Sequence, residues 1–416
     1  MTAPLKILHI AAVGPFGGAS RSLYEAMAAF PEGAVERYFL MQSGTALEFY
    51  GRLAKDSIAT RGLTRFDHTR LGHYRGVRWI VPLRELGYFP GTLLALFEAR
   101  KRWSNIDVIH LNEITDLIPG LIAKALFRKP MVVHVRTLQQ DEANSFRTRW
   151  VHRQLRRHAD AVVAIDRSVR ATLPRDLPVD VIHNSFSPQP AGDADVAYLA
   201  QLDALRAGSL KVGFVGNLHR FKGLQELFEA AKIVKAEGHD VEFLIVGGTT
   251  AVDKGPKWWL LNKLGLAQNM QAEMHQAVAA EGLQDVFHLL GPTPDIQRVY
   301  QRMDVLAFPS YHDAPGRPVF EAAFFGVPSI VAVRNPLGDT VRDGETAIAV
   351  SDPDPRKLAD AIIRFATDRS EGRRMGENAR ALAQQNFRPE VNANLLLALF
   401  RRVAGRSGST TALAGP

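Results

Sequence analysis

Asp313 and Glu321 bracket seven residues within VLAFPSYHDAPGRPVFEAAFFGVPSIVAV, the stretch from Val305 to Val333. Two carboxylates at this spacing can do separate jobs, because the chain between them changes structure. Val305 to Phe308 is a short apolar run of strand character, and Pro309-Ser310 breaks it. A loop with His312, Asp313, Pro315 and Gly316 follows, and Arg317-Pro318 leads into a helix expected over 319–325 that stops at Gly326. Residues 327–333 are a second apolar strand. Pro318 suits a first helical turn, having the right φ and no N–H to lose. In α/β folds such a helix starts at the carboxyl edge of a parallel sheet, where ligands bind. The N–H groups of Val319 and Phe320 would then face an anion. One acid could meet a sugar and the other a ribose, with a phosphate between them. A capped helix of any α/β protein has the same outline.

Three further groups of residues suit the same chemistry. In LKVGFVGNLHRFKGLQELFEAAKIV a strand over 210–215 ends in a turn at Gly216, and Lys222-Gly223 closes the loop before an amphipathic helix. A lysine there can reach a bound anion, and Asn217 and Arg220 lie in the same loop. Near the amino terminus the strand 5–11 is followed by GPFGG and a helix with apolar spacing over 20–30. Gly17 and Gly18 would let backbone amides approach a diphosphate or sugar with no Cβ in the way. His134 closes the strand MVVHVR, and His110 and Asn112 occupy a similar strand end in VIHLNE.

These positions must be carried by a large α/β frame. At 416 residues the natural reading is two domains, and 46% apolar content can fill two cores. Strands expected at 5–11, 38–41, 108–111, 131–135 and 161–165 alternate with helical stretches such as 118–127, the pattern of a parallel sheet covered on both faces. Residues 187–209 are rich in Pro, Gly, Asp and Ala and read as a hinge. The expected division is 1–190, a linker at 191–209, a second domain at 210–388, a helix at 389–404 crossing back to the first, and a disordered tail at 405–416.

Composition narrows the function classes. The chain has no cysteine, which excludes disulfides, thiolate catalysis and cysteine-bound zinc. No apolar run reaches membrane-span length and residues 1–12 lack a basic start and cleavage site, so neither anchor nor signal peptide is expected. No D-x-D stands where a metal is wanted: Asp193/Asp195 lies in the hinge and Asp352/Asp354 in a proline-rich turn. No metal site and no cofactor are therefore expected. Residues 1–190 carry 26 Lys and Arg against 17 Asp and Glu, the rest 25 against 26, so all of the +8 net charge lies in the first half. Two segments concentrate it. Residues 61–103 interleave nine basic residues with Phe66, Tyr74, Trp79, Tyr88, Phe89 and Trp103, and 146–158 (FRTRWVHRQLRRH) has five arginines, two histidines and no acid. Basic residues beside exposed aromatics suit an anionic membrane surface. RNA binding uses similar chemistry, but no recognition motif for it is present, and a solvated basic face is the third reading.

The ordered series resembles the signature of family-4 glycosyltransferases, retaining enzymes of the GT-B superfamily. Its members are the glycine pair, the strand-end His134, the turn at Asn184, Lys222-Gly223, the acids at 313 and 321, and Asp343-Gly344-Glu345-Thr346. The resemblance implies an α/β GT-B fold, two Rossmann-like domains facing each other across a cleft. It implies a hexosyl transfer from a nucleotide-diphospho sugar to a hydroxyl, with retention and without a metal. Glu321 then holds the ribose and Asp313 the sugar hydroxyls. Lys222 and the start of the helix from Gly316 and Arg317 to Val319 and Phe320 hold the diphosphate. Backbone near Leu289 meets the base, and His134 with Gly17 and Gly18 packs on the sugar. This chain departs from the pattern at Asp313 (usually Glu), at Asn217 (usually an arginine that clamps phosphate, with Arg220 nearby) and at Pro315. Those departures leave open a non-catalytic GT-B scaffold, or another GT-B enzyme such as a sugar-nucleotide epimerase or a phosphorylase. The acceptor is expected to be a lipid-linked oligosaccharide or polysaccharide precursor, and the enzyme cytoplasmic, with peripheral contact at the membrane's cytoplasmic face.

Overall fold

The computed structural model describes residues 3–70, 80–142, 145–188, 195–248 and 270–405. The chain forms two compact units, one made of Met1–Phe186 with Phe387–Pro416 and the other of Ser187–Asn386.

The first unit is built on β1 (Leu5–Ala11), β2 (Val35–Gln42), β3 (Asp56–Thr60), β4 (Val108–Leu111), β5 (Met131–Val135), β6 (Ala161–Ala164) and β7 (Asp180–Val181). They lie in the order β3-β2-β1-β4-β5-β6-β7, and every pairing is parallel. Strands covered on both faces must be apolar nearly throughout, and Ile7, Leu8 and Ile10 of β1 are completely buried. The Pro389–Val403 helix belongs to this unit. Its Leu396, Leu397 and Phe400 join the core of Leu5, Ile7 and Phe30.

The second unit holds β8 (Leu210–Val215), β9 (Val241–Val246), β10 (Phe287–Gly291), β11 (Val305–Phe308), β12 (Ser329–Ala332) and β13 (Ala347–Val350). Their order is β10-β9-β8-β11-β12-β13, again parallel throughout. Each sheet therefore reverses its winding once, between β1 and β4 and between β8 and β11. Ligands of open α/β sheets bind in the crevice beyond the strand ends at that reversal. The loops after β1, β8 and β11, which carry Gly17-Gly18, Lys222 and Asp313, all sit at one of these two points.

Several sequence expectations change. Part of the stretch read as hinge is a helix, Val196–Asp203, because Asp195 caps it and Tyr198 and Leu202 bury an apolar face in the second unit. The helix at the paired acids begins two residues early and spans Arg317–Phe324. Both described tryptophans of the basic segments turn inward, whereas Phe97 and Phe146 stay exposed. Trp103 is buried against Tyr38 and donates to Asp56 (2.8 Å), and Trp150 packs on Phe66 with ring centroids 4.9 Å apart. The Trp103 N–H finds its partner in Asp56, so burying that ring costs little. Tyr74 and Trp79, residues 249–269 and the tail from 406 lie outside the described residues. Among the described residues no helix is long and apolar enough to cross a membrane.

Candidate active site

In the second unit two loops are stitched together at the β8/β11 reversal. The carbonyl of Phe221 accepts from Tyr311 N–H (3.0 Å) and from Ser310 Oγ (3.3 Å), and Tyr311 Oη donates to Glu226 (2.6 Å). Gly223 is required at the join. It has φ +74°, and a Cβ there would lie 1.9 Å from the Pro309 carbonyl oxygen. Lys222 is thereby held with its Nζ 5.2 Å from the centre of the Phe308 ring. Burial holds its pKa below the ordinary lysine value. Among the described residues it has no carboxylate partner. An uncompensated ammonium in such surroundings is costly unless an anion arrives. His312 belongs to the same cluster. Desolvation, then the positive fields of Lys222 and His219, push its pKa down to about 4, so at neutral pH it is an uncharged imidazole.

The paired acids are both engaged. Asp313 takes a left-handed backbone (φ 53°), which Asp tolerates better than most residues. Its Oδ1 accepts from the Arg334 backbone N–H (2.9 Å), and its Oδ2 from Arg334 Nε (3.0 Å) and Nη2 (2.8 Å). Glu321 is only 3% exposed. Its Oε2 accepts from the Tyr300 hydroxyl (2.8 Å), and Oε1 pairs with Arg317 one turn back on the helix. The expected anion cradle is smaller than the sequence suggested. Pro318 has no N–H, and the Val319 N–H is spent on the Gly316 carbonyl (3.0 Å). Gly316 itself is crowded, since a Cβ there would lie 2.3 Å from the Phe308 ring. Asn217 and Arg220 are exposed, and Arg220 lines a separate cleft of about 700 Å³ with Phe221, Glu226, Tyr311 and Asp352. Leu289 is half-buried in β10.

In the first unit Gly17 caps the Gly18–Ala28 helix, and added Cβ atoms at Gly17 or Gly18 would meet nothing within 4 Å. Both residues are exposed, but the Gly17 N–H is spent on the Pro15 carbonyl (3.0 Å). His134 is buried rather than open at the sheet edge. It ends a polar chain across the sheet: His9 Nδ1 lies 2.9 Å from His110 Nδ1, and His110 Nε2 lies 3.4 Å from His134 Nδ1. Arg136, a residue that the motif search passed over, anchors that chain. Its guanidinium donates to Asn112 (2.9 Å) and Asn184 (2.7 Å) and lies 3.4 Å from His134 Nδ1. Burial, then Arg136, hold the His134 pKa well below its ordinary value. Glu113 and Asp116 lie buried nearby, and burial lifts them to about 7 and about 8. The available signal for Arg136 was a charged residue directly after an apolar strand. Tyr300 and Arg334 had none, because they lie 21 residues away from the acids they hold.

Among the described residues no group of three or more His, Asp or Glu side chains could hold a metal ion. The D-x-D carboxylates are used structurally: Asp195 and Asp354 cap helices and Asp352 pairs with Lys357 (2.9 Å).

The sequence matches the family described as Glycosyltransferase Family 4 over residues 16–189 and that described as Glycosyl transferases group 1 over 203–382. It is 26% identical to D-inositol 3-phosphate glycosyltransferase of Corynebacterium efficiens over 79% of this chain and 78% of that one. It is equally 26% identical to 2-deoxystreptamine glucosyltransferase of Streptomyces kanamyceticus, over 77% and 83%. The fold is similar to that of Anabaena Alr3699/HepE, crystallised with UDP and glucose. The TM-score is 0.70 at 20% identity, covering 95% of this chain and 99% of that one.

Proposed function

This chain belongs to the family-4 GT-B glycosyltransferases, and from that membership we propose a retaining, metal-independent transfer of a hexosyl unit from a nucleotide-diphospho sugar to a hydroxyl. The observation that carries the reading is Lys222, a desolvated ammonium without a counter-charge among the described residues, packed on the Phe308 ring that also crowds Gly316 at the cap of the Arg317–Phe324 helix. A leaving diphosphate is the anion that this position compensates, and charge developing on it in the transition state is what the lysine and the helix dipole stabilise. Asp313, its carboxylate held in place by Arg334, suits a sugar hydroxyl. For Glu321 to reach a ribose, the Arg317 ion pair opens and Tyr300 keeps the carboxylate in place. Among the described residues no carboxylate is placed as a nucleophile, so attack on the face that the diphosphate leaves is the mechanism we favour.

The acceptor we propose is a lipid-linked oligosaccharide or polysaccharide precursor at an anionic membrane surface, reached through 61–103 and 146–158. The two bacterial relatives favour a second reading, since their names give polyhydroxylated ring compounds as acceptors.

Thermal-shift titration with UDP-, GDP- and ADP-sugars, followed by turnover with the donor that binds, tests the proposal. Stabilisation by one donor series, lost in Lys222→Ala, is expected. Binding without turnover over lipid-linked and cyclitol acceptors would favour a scaffold, and a pyridoxal absorbance would favour a phosphorylase.

A further inference from the structure

We infer that the outer face of the Ile80–Arg102 helix and the arginine cleft of the Phe146–His158 helix form one docking surface for an anionic phospholipid bilayer. The inference rests on the lipid-linked acceptor proposed above and names the surface that would meet the lipid.

The Ile80–Arg102 helix already buries one face through Thr92, Ala95, Leu96 and Ala99. Its opposite face should be polar. Instead Ile80, Leu83, Leu86, Leu94 and Phe97 are 56–71% exposed. From Leu83 they recur with Pro90 in steps of three and four, the spacing of one helical stripe. Such a stripe on a free surface marks an interaction site. It runs for about 26 Å at 1.5 Å per residue, and Arg84, Lys101 and Arg102 flank it, exposed. That is the outline of a helix lying in the membrane interface rather than crossing it.

The charge lies one loop away. Thr64 N–H donates to Thr92 Oγ1 (2.9 Å) and Arg65 N–H to Glu85 (2.8 Å), both on the stripe's helix. The next residue, Phe66, packs on Trp150 and under Arg147 (5.2 Å) of the arginine-rich helix. There Arg149, Arg153 and Arg157, with His152, line a cleft of about 650 Å³. Arg156 is committed to Asp176 by two 2.8 Å bonds, and Asp141 is the one carboxylate lining the cleft, 3.9 Å from Arg70. Arg149, Arg153 and Arg157 have no carboxylate partner among the described residues. Guanidinium groups grip phosphate oxygens in pairs, and Phe146, 77% exposed at the start of the same helix, adds an apolar contact. A second copy of the chain fits worse, because a twofold contact would set this basic unit against itself.

Sedimentation of the full-length protein, without donor, with phosphatidylcholine vesicles containing or lacking phosphatidylglycerol tests the inference. Binding should require phosphatidylglycerol and fade with salt. Arg149→Ala with Arg153→Ala should weaken it about thirtyfold and flatten the salt dependence, at about 1 kcal/mol per arginine. Leu83→Ser with Leu94→Ser should abolish it. Both double variants should keep the wild-type Tm and donor-induced thermal shift. Equal binding to neutral vesicles overturns the inference, as does indifference to both variants. So does a dimer broken by Leu83→Ser with Leu94→Ser while sedimentation stays unchanged, or protection by inorganic phosphate with no vesicle binding. Lys222→Ala separates the two proposals: it should sediment normally while losing donor stabilisation.

Discussion

The hydroxyl of Tyr300 donates a 2.8 Å hydrogen bond to Oε2 of Glu321, joining two residues 21 positions apart in the buried heart of the second unit. The bond leaves the other oxygen, which is also buried, to Arg317 and fixes which way the carboxylate points. Tyr300→Phe should cost about 1.5–3 kcal/mol of stability, the usual worth of a hydrogen bond to a charged group. If Glu321 grips the donor, the same change also raises donor KM with little effect on kcat. A Tm drop with unchanged KM would assign Tyr300 to stability alone. Glu321→Gln should weaken donor binding at least tenfold, a loss of about 1.4 kcal/mol or more, read by titration calorimetry.

Lys222 predicts a sign reversal between the free and bound proteins. An ammonium desolvated without a partner destabilises the free fold, so Lys222→Met should hold or raise the Tm without ligand. The donor-induced rise should shrink, with affinity down roughly tenfold or more for a lost charge-assisted contact. A Tm that falls in the free variant would contradict this.

Gly223 has no tolerated replacement. Positive φ and a carbonyl oxygen 1.9 Å from the Cβ position mean that Gly223→Ala must part the 219–223 and 309–312 loops. A destabilisation above the roughly 1 kcal/mol typical of compatible glycine sites is expected, and donor stabilisation should fall with it. Chemical denaturation and thermal shift on one sample check both.

Six buried groups shape the pH dependence of the first unit, among them His68, pushed down to about 4 by burial, then Arg147. His9 is pushed down to about 3 by burial, then Arg37, while His110 and His134 also lie well below 6.5. Below pH 6.5 the unfolded histidines take up protons that the folded ones refuse, so stability is lost as pH falls. Glu113 and Asp116 act oppositely. Their raised folded values, about 7 and about 8, remove stability as pH rises from their ordinary range through those values. Each group contributes a slope of about 1.4 kcal/mol per pH unit. Four histidines outweigh two acids below 6.5, and only the acids act above it. The Tm should peak near pH 6.5 and fall by pH 5 and by pH 8. Asp116→Asn should lift the alkaline side, and a flat or rising wild-type profile to pH 8 would refute the assignment.

Local pattern carried much of the architecture. Strands buried on both faces had to be apolar runs, so β1, β4, β5, β8, β9 and β11 were legible from composition alone. Glycine turns and Pro318 marked where helices begin, and the series of short motifs pointed to the family to which the chain belongs. The helix at Val196–Asp203 was less legible, because proline and glycine on either side hid its apolar spacing.

What the sequence by itself determined, then, was the set of loops that could carry chemistry and the parallel α/β class that holds them. Strand order was decided only by the tertiary structure, which sets those loops at the β1/β4 and β8/β11 reversals. So were the partners of each charge: Tyr300 and Arg317 for Glu321, Arg334 for Asp313, Arg136 for His134, and none among the described residues for Lys222. The reason is physical. Periodicity reports which face of an element is apolar, a local property, whereas a hydrogen bond or a desolvated charge depends on which distant segment packs against it. The same limit turned Trp103 and Trp150 of the basic segments inward and left the leucines of the Ile80–Arg102 helix outside. Composition counts side chains, and only packing chooses which of them meet solvent.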